Sequence, residues 1–116
     1  MSLINRDAMI IYPKQPLYDW MNLIFTEKLN FDDKDYFGHE RGTVFLIPEL
    51  EDFEHFEKWI QKNFKEFFEE SLNGWCTEES LWPKKRNHKL FREWFHVTYQ
   101  SMVIDVLEES IEHEED

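Results

Sequence analysis

The chain has 116 residues, 41% of them apolar and 17% aromatic, with eleven Phe, five Trp, three Gly and four Pro. That length suits one domain with one core, and so little Gly and Pro excludes a disordered or linker-rich chain. Twenty-five acids against 13 bases leave −12 at neutral pH, a field that repels nucleic-acid phosphate and anionic lipid and attracts basic protein surfaces.

The first element is "AMIIY" (8–12), an Ile-rich run closed by Pro13 and read as a strand, because proline cannot donate to a ladder. Pro16 suits a first helical position, and Leu17, Trp20, Met21 and Ile24 follow at helical spacing, predicting an amphipathic helix over 16–27. Residues 29–42 have no clear period and read as loop. Asp33, Asp35 and Gly38 there match a calcium loop, but Phe37 and Val44 occupy ligand positions and exclude one. "TVFLI" (43–47) is apolar at every position after Thr43, the pattern of a strand covered on both faces, so it is expected at the centre of the sheet.

The strongest helix signal runs from 52 to 72. Phe53, Phe56, Ile60, Phe64, Phe67 and Leu72 form one stripe, widened by Trp59 and Phe68. Asn73-Gly74 is expected to supply a left-handed exit. Asn87 is predicted to cap a third helix, 88–95, with Leu90, Phe91, Trp94 and Phe95 facing inward. Residues 96–106 read as a strand whose inward parity changes near Gln100-Ser101, which predicts a bulge or a strand end buried on both faces. The whole is an α+β (or small α/β) domain over 1–107. About three strands follow the order β-α-β-α-α-β, with crossovers long enough to permit parallel pairing. An acidic tail, 108–116, is expected to fray.

No catalytic signature is present. The five histidines (39, 55, 88, 96 and 113) form neither H-x-x-x-H nor H-E-x-x-H, and no Gly-rich phosphate loop or G-x-S-x-G elbow occurs. No catalytic residue, metal or cofactor is therefore assigned. Cys76 stands alone, which rules out an internal disulfide and fits a reducing cytoplasm. Its place just after a helix C-terminus disfavours a thiolate, so it reads as a packed structural thiol. The opening residues carry no apolar stretch of signal-peptide length, and "TVFLIP" is far short of the roughly 20 residues that cross a bilayer. A soluble cytoplasmic protein is expected.

The densest stretch is "NGWCTEESLWPKKRN" (73–87). Trp75, Cys76, Glu78, Trp82, Lys84, Lys85 and Arg86 form the candidate binding surface. The plainer reading makes the two indoles a packed corner. Lys84, Lys85, Arg86, Lys89 and Arg92 lie within nine residues that hold no acid. Eight bases against 25 acids remain elsewhere, a charge of −17 facing this +5. The cluster is expected to brace Glu66, Glu69 and Glu70, which sit badly at a helix C-terminus.

The pattern "INRDAM", "PKQP" with "DWMN", "LIPE", "NGWCTEESLWPK", "FREWF" and "SMVIDV" resembles a family of small acidic bacterial proteins of unassigned function, over nearly the whole chain. The resemblance implies a cytosolic α+β domain and transfers no catalytic residue. Some members carry a name borrowed from an outer-membrane lipoprotein, from which this chain departs in having no signal peptide or lipid-attachment cysteine. The element order is also similar to that of barstar, an acidic inhibitor of a basic nuclease, a likeness of layout alone. The leading expectation is a non-enzymatic binding module for another, basic protein. The acidic helix 52–72 would attract it, with Trp75 and Trp82 as anchors. The alternative is a small enzyme or ligand-binding domain with its pocket around Trp75, Cys76, Glu78 and Trp82. A third reading, a structural subunit of a larger assembly, predicts a large exposed apolar patch.

Overall fold

The computed structural model describes residues 1–25 and 41–114. The elements are β1 (Ser2–Leu3), β2 (Asp7–Pro13), α1 (Gln15–Ile24), β3 (Thr43–Ile47), α2 (Phe53–Trp75), α3 (His88–Trp94), β4 (Phe95–Gln100) and β5 (Ile104–Asp105), with a 3₁₀ turn at Glu79–Leu81. The architecture is α+β. The reading of 29–42 as loop, and most of the calcium-loop comparison, lies outside the described residues.

One sheet has the order β3-β2-β4 and is antiparallel throughout. Its centre is therefore β2, correcting the expectation for Thr43–Ile47, and no parallel pair occurs in it. The physical reason lies in the two faces of β3. Phe45 and Ile47 turn toward α2, where Phe45 meets Phe67 edge-on at 5.0 Å. Val44 and Leu46 point the other way and are 59% and 47% exposed. An unbroken apolar run marks double coverage only when a second layer exists, and among the described residues those two side chains have none. In β2, by contrast, Met9 and Ile11 are wholly or almost wholly buried.

The core lies between this sheet and the helices. Phe56, Ile60, Phe68 and Leu72 of α2 are fully buried with Met9, Leu17, Met21 and Phe91. Phe56 stacks on Tyr99 at 4.7 Å, and Phe68 touches Phe91, Trp94 and Phe95. Each such side chain contributes about 1.5–3 kcal/mol by leaving water. Asp52 caps α2, accepting the His55 amide at 2.8 Å, and Asn87 caps α3 through the Leu90 amide at 2.8 Å. The Asn87 cap follows the predicted chemistry.

Two further expectations change, and a third feature was not foreseen. First, α2 does not stop at Asn73-Gly74; it runs on to Trp75, and no described glycine has a positive φ. The exit is an extended Cys76 whose amide closes on the Leu72 carbonyl at 2.9 Å. Second, 96–106 is two strands. The parity change marks where the chain leaves the main sheet, and Ile104–Asp105 then pairs antiparallel with Ser2–Leu3. These short end strands extend the element order beyond the β-α-β-α-α-β on which the barstar layout rested. Third, Asp7 is a buried acid, 4% exposed, at the head of β2. It accepts the Leu50 amide at 2.9 Å and the Tyr99 hydroxyl at 2.5 Å, joining two strands to the loop that enters α2. Burial, then the hydrogen bond to Asp7, pushes the Tyr99 phenol up to about 12, so it stays a donor.

Candidate functional site

The two tryptophans of the dense stretch part company. Trp82 is buried, and its indole N–H donates to the Cys76 carbonyl at 2.7 Å. Trp20 on α1 donates to the Leu81 carbonyl at 2.9 Å. One indole thus closes residues 76–82 on themselves and the other ties them to α1, as buried indoles require a partner. Cys76 is half-buried, and its Sγ lies 3.9 Å from the Glu78 carbonyl. Glu78 itself is exposed.

Trp75 closes α2 on the other side and is 39% exposed. It lines a cleft of about 380 Å³ whose wall includes Ile11, Phe45, Phe95, Arg41 and Glu70. Of the predicted surface residues, only Trp75 borders this cleft; Cys76, Glu78 and Trp82 do not. The expected constellation is therefore divided between a packed corner and an open hollow. Arg41 also hydrogen-bonds the buried Tyr18 hydroxyl, whose pKa burial raises and Arg41 pulls back.

The base cluster is divided as well. Arg86 Nη2 meets Glu69 at 3.4 Å, Nη1 donates to the Pro83 carbonyl at 2.8 Å, and its guanidinium lies 5.6 Å from the Trp82 ring centre. Arg92 meets Glu57 at 3.1 Å. Of the three acids expected to be braced, Glu69 alone pairs with the cluster among the described residues, and Glu57 joins it. Such half-exposed pairs give about 0–1 kcal/mol each. Lys84, Lys85 and Lys89 remain exposed.

Helix α2 is less acidic than its Glu count suggests, because Lys58, Lys62 and Lys65 share it. The concentrated acid lies elsewhere. Residues 101–114 hold Asp105, Glu108, Glu109, Glu112 and Glu114 and no Lys or Arg. The same segment, with β1, presents Met1, Leu3, Met102, Ile104, Val106, Leu107 and Ile111, all between 49% and 90% exposed. The β1–β5 ribbon packs chiefly on itself. Read from sequence, 108–116 is an acidic tail expected to fray, and this surface is given no role. The apolar run Met102-Val103-Ile104 and Val106-Leu107, broken by Asp105 alone, was the available signal.

Among the described residues, no group of three or more His, Cys, Asp or Glu side chains is arranged to hold a metal, and no helix is long and apolar enough to cross a membrane. Two histidines are tuned in opposite directions. His55 is raised by its hydrogen bond to Asp52 at 2.7 Å, while His88, against Phe64, is lowered first by burial and then by Arg92. Comparison with protein-family models, curated proteins and solved structures returns no match.

Proposed function

We propose that the protein is a non-enzymatic binding module for a protein with a basic surface, and that the terminal ribbon with residues 101–114 is its docking arm. One observation carries the reading: seven exposed aliphatic side chains accompany five acids and no Lys or Arg. An exposed apolar patch of this kind marks an interaction site. Its acidic rim favours a groove edged with Lys or Arg and repels nucleic acid. This moves the attracting surface from helix 52–72 to the arm and withdraws Trp82 as an anchor, since it is buried. The lone cysteine supports a cytoplasmic, reducing setting, and kinship with the acidic bacterial family rests on the quoted motifs.

The test compares the wild-type chain with a Val106→Ser/Leu107→Ser variant in pull-downs at low and high salt. Basic proteins retained at low salt by the wild type alone, and released at high salt, are expected. Retention of the same set by both chains sinks the proposal.

The Trp75 cleft favours a second reading, a site for a small planar ligand bearing a charged end. A melting-temperature rise with an aromatic carboxylate or amine, lost in Trp75→Ala, would support it. The absence of any rise across such a panel would remove it.

A further inference from the structure

We infer that β3 is a self-association edge, through which two copies of this chain pair antiparallel and join their three-stranded sheets into one of six strands. Among the described residues β3 is hydrogen-bonded to β2 on one side only. Among these residues its outward edge carries backbone N–H and C=O groups without a strand partner, which proteins ordinarily guard with charge, proline or a bulge. Thr43–Ile47 contains no charge and no proline. Val44 and Leu46 are 59% and 47% exposed on the face away from α2. Ile10 stands opposite Val44 in the register and continues that aliphatic stripe onto β2.

The sequence around the strand selects a second copy as the occupant. Antiparallel pairing centred on Phe45 sets Val44 against Leu46 of the other copy and Thr43 against its Ile47. The same register brings Arg41 level with Glu49 of the second copy, and Glu49 level with its Arg41. Val44 and Leu46 meet each other and opposite charges meet at both ends, the self-complementarity a two-fold contact requires. A basic partner finds no acid on this strand. The contact is small and −12 on each copy opposes it, so the dimer is weak and added salt, by screening that repulsion, tightens it. Docking by the arm has the opposite salt dependence, which separates the two proposals.

Sedimentation equilibrium of the full chain from about 10 µM to about 500 µM, at low and high salt, provides the test. A monomer–dimer equilibrium that tightens with salt is expected. Leu46→Lys charges the edge and should raise the dimer Kd at least about tenfold. Glu49→Arg, which sets like charges together at both ends, should raise it by a smaller factor. Val106→Ser/Leu107→Ser in the arm should leave it unchanged. A monomer at the highest concentration in high salt overturns the inference, as does a dimer indifferent to Leu46→Lys. Should circular dichroism show Leu46→Lys unfolded, the exposed Glu49→Arg variant decides: an unchanged Kd rejects the two-fold register.

Discussion

The helix–sheet body and the terminal ribbon use similar apolar side chains and treat them in opposite ways. In the body, Phe56, Phe68 and Phe91 are fully buried; in the ribbon, no large aliphatic side chain of Met1, Leu3, Met102 or Ile104 is less than 49% exposed. Composition does not separate the regions. Layering does, because α2 offers its apolar stripe to a three-stranded sheet, whereas two strands of two residues each have no second layer to bury against. An apolar residue is a core residue only where a facing element completes the contact.

The sharpest test of that contrast is Phe68→Ala, which removes a ring packed against Phe91, Trp94 and Phe95. Urea unfolding should show a loss of about 3–5 kcal/mol. The Val106→Ser/Leu107→Ser variant should stay within about 0.5 kcal/mol per site. A comparable loss from both variants would mean that the arm is part of the core. Next comes Asp7→Ala, which strands the Leu50 amide and the Tyr99 hydroxyl. We expect a loss of about 2–3 kcal/mol, and about 1 kcal/mol for Tyr99→Phe, in the same assay.

Trp82→Phe keeps the ring but removes the donor to Cys76 and weakens the contact with Arg86. A loss of about 1 kcal/mol is expected, whereas Trp75→Phe at the cleft should be nearly silent. The smallest effect is that of pH. His88 has its folded pKa below the ordinary 6.5, so its contribution is present above about 6.5 and is lost as pH falls through the folded value. His55, raised by Asp52, contributes below 6.5 and loses that contribution as pH rises through its folded value. Two-dimensional NMR titration should give His88 the lower midpoint, and His88→Asn should flatten the decline in stability on the acid side.

Much of the body was legible in the chain. The stripe of α2 and the Asn87 cap are local signals, set by helical period and side-chain reach. Strand order was not legible, because TVFLI reads alike whether Val44 and Leu46 are covered or exposed. Asp7 shares parity with Met9 and Ile11, so an inward acid was discoverable, though its partners Leu50 and Tyr99 lie 43 and 92 residues away. The candidate site was half legible. Trp75 and Trp82 are seven residues apart, but a helix end and a 3₁₀ turn intervene, and those send one indole outward and the other in.

Cys76 is held at both of its backbone polar groups, the amide by Leu72 and the carbonyl by the Trp82 indole. Its sulfur rides on the joint between the long helix and the corner, so any loosening of that joint widens access to the thiol. The residue is thus a native gauge of local breathing: its alkylation rate counts excursions of the corner separately from unfolding of the whole molecule. A partner that docks on the arm and stiffens the body would slow that clock without touching the cysteine.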